Sequence, residues 1–284
     1  MEAAVAENAR RLVEFIRPFG RCVIAYSGGV DSAVVAYAAH VALGEGALAV
    51  TGVSASLASG ELEAAERTAQ LIGIQHEVLL TSELADPNYQ KNAPDRCFHC
   101  KTELYAQLTA EASRRGMAVI LNGANVDDLG DFRPGMTAAS QHGVRSPLAE
   151  CGLRKDAVRR VAQAWGLEVW DKPATPCLSS RIAYGVAVTP ERLAMIDQAE
   201  GHLRELGFTG FRVRLHESSL ARLEVPAEQL PKLCSDAVRA SLVSALRRIG
   251  FNYVAVDLEG FRSGSFQQLV PVDELRRFGH APSN

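Results

Sequence analysis

No run of about 18 apolar residues occurs in this 284-residue chain, so it offers no transmembrane helix. The opening segment, MEAAVAENARRLVEF, is amphipathic and acidic. It lacks the basic-then-apolar layout of a secretory leader, so we expect a cytoplasmic protein. Basic residues are not in excess either. Lys and Arg number 30 against 33 Asp and Glu, for a net charge of −3, so neither a general nucleic-acid surface nor a membrane surface is expected as a partner. Six cysteines are too few for a disulfide framework at this length, and their thiols are expected to be buried, catalytic or metal-bound. Walker-type G-x-x-x-x-G-K-[ST] and dinucleotide-type G-x-G-x-x-G loops are missing too. With 47% apolar and 22% charged residues, the chain is long enough to bury a core in one large or two ordinary domains.

What is present begins with Ser27-Gly28-Gly29-Val30-Asp31-Ser32, which follows the apolar run 22–26 and precedes an apolar helical pattern. That order is strand, glycine turn, helix. Such a turn aims backbone N–H groups and a helix N-terminus at one point, which suits a phosphate. Two glycines admit close approach, Ser27 and Ser32 add hydroxyl donors, and Asp31 suits a metal that screens phosphate charge. SGGVDS resembles the PP-loop of the ATP pyrophosphatases, which split ATP between its α and β phosphates.

Apolar periodicity predicts helices at 3–17, 30–43, 59–72, 98–115 and 153–165, and strands at 21–26, 47–53, 75–80 and 117–122. Residues 85–96, with two prolines, read as a loop. The alternation implies a doubly wound parallel α/β sheet over residues 1–185. The glycine turn, Val53-Ser54 and the segment 122–128 then all fall at strand C-termini, where such sheets bind ligands. After residue 185 the pattern changes to helix 189–206, strands 211–216 and 220–225, helix 235–249 and strand 253–257. This suggests a second, smaller α+β domain over 186–284, with residues 258–284 as a mobile tail.

Three further segments carry chemistry. Asn122 to Gly135 contains Asn125, the adjacent carboxylates Asp127 and Asp128, and Arg133, a set suited to Mg²⁺ and phosphate. Asp95-Arg96-Cys97-Phe98-His99-Cys100-Lys101 holds a C-x-x-C, compatible with zinc, iron–sulfur or a redox dithiol. A closed zinc site would need two more ligands, and no second C-x-x-C exists. In Lys172 to Arg181, two prolines keep the backbone extended and display Cys177, with Lys172 and Arg181 close in sequence to favour its thiolate.

SGGVDS, RCFHCK, NGANVDDLGDFRPG and KPATPCLSSRIAYG, continued by Phe211-Arg212-Val213-Arg214-Leu215-His216, occur in the order found in the LarE family. The chain resembles that family over nearly its whole length. These are ATP-dependent sulfur transferases of nickel-pincer nucleotide biosynthesis, used in lactate racemase maturation. The resemblance implies that ATP-Mg²⁺ adenylylates the carboxylates of a pyridinium biscarboxylate mononucleotide and that sulfur then displaces AMP. Ser27, Gly28, Gly29, Asp31 and Ser32 would hold ATP and metal, with Asn125, Asp128 and Arg133 beside them. Cys177 would supply sulfur, flanked by Ser180 and Arg181. Arg212 and Arg214, on one strand face, would take the substrate phosphate, and Glu200 would serve a metal or as a base. Some members use one sacrificed cysteine, whereas others carry three and resemble iron–sulfur enzymes. Cys97, Cys100 and Cys177 place this chain with the latter and imply a [4Fe–4S] cluster. The family also implies a homo-oligomer. A tRNA thiolase and an ammonia-dependent amide synthetase of the NAD synthetase type are the alternatives within the superfamily.

Overall fold

A computed structural model describes residues 2–129 and 134–262. Helix α1 (Ala3–Ile16) buries Val5, Ala9, Leu12 and Ile16, one stripe at helical spacing. Strand β1 (Cys22–Ala25) leads through the glycine turn into α2 (Val30–Leu43). Nearly every apolar position of α2 is buried, because helices pack on both its sides. Next come β2 (Ala47–Val53), α3 (Glu61–Ile72) and β3 (Gln75–Leu80). Gly73, at φ +80°, ends α3 in the left-handed conformation that glycine alone adopts freely.

Two elements interrupt the stretch expected as a loop. Asp86 caps the one-turn α4 (Pro87–Gln90) by accepting from the Asn88 N–H at 2.8 Å, and α5 (Arg96–Arg114) begins before Cys97. Strand β4 (Val119–Leu121) is only three residues long. Helices α6 (Pro134–Gln141) and α7 (Pro147–Glu150) were not legible, being too short for a periodic signal, and α8 (Lys155–Ala164) completes this layer.

The four strands are all parallel, in the order β3-β2-β1-β4. Helices α1, α2 and α8 share one core against the sheet, while α5 and α6 pack on the other face. The doubly wound expectation is met. Central β1 and the start of β2 are buried, whereas edge strand β3 leaves Val78 and Leu80 exposed. Among the described residues, no helix is long and apolar enough to cross a membrane.

The second unit follows the expected α-β-β-α-β order. It comprises α9 (Pro190–Glu205), β5 (Arg212–His216), β6 (Leu220–Glu224), the short α10 (Leu230–Cys234), α11 (Asp236–Ile249) and β7 (Tyr253–Val256). Thr189 caps α9 by accepting from the Arg192 N–H. Strands β5 and β6 pair antiparallel, and β6 and β7 parallel. Its core reaches back to take in Leu178, Ile182 and Tyr89. Residues 263–284, most of the expected tail, lie outside the described residues.

Candidate functional site: a phosphate loop and a clamped cysteine turn in one cavity

The glycine turn is built for close approach. Gly28 has φ +70°, and a Cβ there would lie 2.7 Å from the Ala65 Cβ and 2.8 Å from its Cα. The Ser32 hydroxyl accepts from the Ser27 N–H (3.2 Å) and donates to the Gly29 carbonyl (3.1 Å), so the serines brace the loop across the first turn of α2. The loop after β4 presses against the same turn, since a Cβ on Gly123 would sit 2.7 Å from the Ser32 nitrogen. This contact brings Asn125 to Asp31, as the sequence order suggested: its side-chain amide donates to Asp31 Oδ1 at 3.2 Å.

The neighbouring carboxylates take other roles. Asp128 closes a capping box, accepting from the Asn125 N–H at 2.9 Å, while Asp127 accepts from Arg154 and from the Lys155 N–H. Asp128, expected beside the nucleotide, thus caps the turn and fixes Asn125. Arg133 lies outside the described residues. Lys155, which sequence reading passed over as one basic residue of a helix, is ion-paired with Asp31 beside the loop.

Cys177 starts a 3-10 turn, Leu178–Arg181, whose carbonyls are held by three buried arginines. Arg96 donates to the Ser179 carbonyl (2.8 Å), Arg181 to those of Cys177 (3.0 Å) and Pro176, and Arg214 to that of Ser180 (2.9 Å). Each of the latter two rests on a buried glutamate. Arg181 bonds Glu200 at 3.1 Å and 3.3 Å, and Arg214 pairs with Glu224 at 2.9 Å. The Leu178 N–H donates to the Ser56 carbonyl at 2.8 Å, tying the turn to the loop after β2.

The other expected site residues are placed as follows. Glu200 also accepts from the Val213 N–H at 3.2 Å, so its carboxylate joins Arg181 to the β5 backbone. Arg181 and Ser180 serve to position the Cys177 turn: Arg181 binds its carbonyls, and the Ser180 hydroxyl accepts from Arg181 at 3.1 Å. Lys172 is paired with Glu61 at 2.8 Å, and the cations that the Cys177 charge acts on are Arg96 and Lys101. Of the expected arginine pair, Arg214 is bonded to Glu224 and to the Ser180 carbonyl. Among the described residues Arg212 donates to the backbone carbonyls of Phe211 and Ala174, and burial together with the charges of Arg181 and Arg214 lowers its pKa to about 10, against the opposing charges of Glu200 and Glu224.

Removing Glu200 while Arg181 stays would leave a guanidinium 1% exposed without its counter-charge. Glu200→Ala is expected to cost about 3–5 kcal/mol in denaturant unfolding, and Glu200→Gln distinctly less because it keeps acceptor capacity.

Cys97 and Cys100 stand one turn apart on α5, and their charges and that of Cys177 act on one another and on Lys101. Burial pushes the Cys100 pKa up to about 12, with Lys101 opposing and the charges of Cys177, Glu83 and Cys97 reinforcing. Among the described residues, no three His, Cys, Asp or Glu side chains are grouped closely enough to hold a metal ion. The charges of Cys97 and Cys177 both act on Cys100 and on the neighbouring cations Arg96 and Lys101. Cys22 and Cys151 are buried, and Cys234 is exposed.

One cavity of about 460 Å³ spans this region, lined at one end by Ser27, Gly29 and Asp31 and at the other by Cys100, Lys101 and Cys177. A parallel α/β sheet with a two-serine glycine loop at the C-terminal end of β1, opening onto a cavity that Cys100 and Cys177 also line, defines a protein of the PP-loop class.

No family model matches the chain. It is 34% identical over 279 residues, 97% of this chain and 99% of the relative, to the pyridinium-3,5-bisthiocarboxylic acid mononucleotide synthase of Lactiplantibacillus plantarum. It is 47% identical over 264 residues, 93% of this chain and 97% of the relative, to an uncharacterised protein of Synechocystis. A tRNA-specific 2-thiouridylase of Methylobacterium nodulans matches at 29% identity, over 54% of this chain and 50% of that one. The chain belongs to the LarE family, that of the L. plantarum synthase.

Proposed function

We propose that this protein is an ATP-dependent sulfurtransferase that converts the ring carboxylates of a pyridinium-3,5-dicarboxylate mononucleotide to thiocarboxylates, in nickel-pincer nucleotide biosynthesis. The observation that carries the reading is the single cavity joining the glycine loop to Cys177 and Cys100. It is what a reaction needs when one end must activate and the other must deliver sulfur. The name and near-full-length identity of the L. plantarum relative support it.

In this reading the backbone N–H groups around Gly28 and Gly29, with Ser27 and Ser32, receive the ATP phosphates. Asp31 would hold Mg²⁺, which when bound supplies charge neutralisation for the leaving pyrophosphate. A substrate carboxylate oxygen attacks the α-phosphorus, the bond to the β-phosphate breaks, and an acyl-adenylate and pyrophosphate result. A sulfur nucleophile at the Cys177 end then attacks the acyl carbon, and AMP leaves with the electron pair of the carbon–oxygen bond. Lys101 contacts no acid among the described residues, unlike Lys155 and Lys172, and is the cation available to a ring carboxylate there. Arg212 offers a contact for the substrate phosphate. Cys97, Cys100 and Cys177 would hold a [4Fe–4S] cluster, which when bound supplies an open iron for external sulfide. A homo-oligomer acting in the cytoplasm completes the proposal.

The test is anaerobic turnover of protein reconstituted with iron and sulfide. Expected are pyrophosphate and AMP, a product in which sulfur replaces carboxylate oxygen, and an unchanged protein mass after several turnovers. Cys97→Ala should take up less iron and lose the visible absorption. Equal iron uptake by wild type and Cys97→Ala would sink the cluster, and loss of the Cys177 sulfur during turnover would make that residue the consumed donor.

A further inference from the structure

Glu83 follows β3 and is only 2% exposed, yet it lines the cavity. Its Oε1 accepts from the hydroxyls of Ser54 and of Ser56, the latter at 3.0 Å. Its Oε2 is buried with no hydrogen-bond partner. A buried carboxylate oxygen left unpaired is costly, so the site is incomplete without a positive or donating group from a ligand.

Its place in the sheet narrows that ligand. Glu83 follows edge strand β3, and its carboxylate is bonded to Ser54 and Ser56 in the loop after β2. Its negative charge is felt by Cys100, and Ser56 is bonded to the backbone beside Cys177, so Glu83 belongs to the sulfur end of the cavity. A substrate carrying carboxylates and a phosphate would be repelled there unless it turned its one cationic part toward the glutamate.

Resting on the function proposed above, we infer that Glu83, oriented by Ser54 and Ser56, is the specificity-determining residue for the positive charge of the heteroaromatic ring. The ring nitrogen faces Glu83, and the ring carboxylates point toward Lys101 and the ATP phosphates.

Glu83→Gln keeps an acceptor for both serine hydroxyls and removes only the charge. Two probes are titrated by calorimetry into wild type and variant: the pyridinium-3,5-dicarboxylate mononucleotide, and its C-nucleotide isostere with a neutral 3,5-dicarboxyphenyl ring. ATP binding to the same preparations reports on folding. In the variant we expect the pyridinium to bind about 10- to 100-fold more weakly, the size of a lost charged contact, with the neutral isostere and ATP unchanged. Equal weakening of the two rings, or no weakening of the pyridinium, overturns the inference while leaving the sulfurtransferase reading standing. Failure of wild type to bind either ring overturns that reading, and the inference with it.

Discussion

Replacing Cys177 by alanine is expected to reduce thiocarboxylate formation on the order of 10³-fold or more while pyrophosphate release stays within a fewfold of wild type. The separation follows from how the residue is held. The turn that begins at Cys177 is fixed through its backbone: Arg96, Arg181 and Arg214 bind its carbonyls, and the Leu178 N–H binds the Ser56 carbonyl. None of those bonds uses the sulfur atom. Deleting it removes the group that presents sulfur and leaves the scaffold standing, so unfolding free energy should shift by no more than about 1 kcal/mol. The glycine loop, at the other end of the cavity, still activates the carboxylate. Parallel assays of pyrophosphate and thiocarboxylate check this, with the exposed Cys234→Ala as the control that loses neither. Equal loss of both products would show that Cys177 is needed for activation, contrary to this division of labour.

Gly28→Ala is expected to have the second large effect, on the other half of the reaction. Two physical costs coincide there. A left-handed backbone with a Cβ costs about 1–2 kcal/mol. The new methyl would also lie 2.8 Å from the Cα of Ala65, a backbone atom of α3 that cannot turn aside. Overpacking of that kind adds roughly 1–3 kcal/mol, relieved only by shifting the loop. A displacement near 1 Å in a positioning element costs about 100-fold in rate, so pyrophosphate release should fall by that order. ATP should also raise the melting temperature of wild type and fail to raise that of the variant. Gly143→Ala separates the two causes. Its φ is +64° but the space around it is open and it lies away from the loop, so strain alone should lower stability slightly with activity intact. Were both variants to bind ATP like wild type, the loop would not be the phosphate site.

Local patterns explain which features the sequence by itself determined. The glycine turn, α2, β2, β3, the Thr189 cap and the α-β-β-α-β order are each written in a run of neighbours, by apolar period, turn residue or cap. The same holds for the convergence of the β1 and β4 loops, because a parallel sheet puts successive strand ends on one edge. The sequence also set Cys97, Cys100 and Cys177 apart from the strand cysteine Cys22, which is buried, although Cys97 and Cys100 stand on α5 and not in the turn-like setting expected.

What each charged side chain does was decided only by the tertiary structure. Glu200 and Arg181 are 19 residues apart and form a buried pair, Lys155 reaches Asp31 across 124 residues, and Arg96 reaches Ser179 across 83. A carboxylate or guanidinium looks the same in sequence whether it meets a ligand or a buried partner. The partner is set by which elements pack together, through bonds between distant segments that no local period encodes. For the same reason Glu83, unremarkable in sequence, stands out only once Ser54, Ser56 and the cavity wall leave one of its oxygens without a partner.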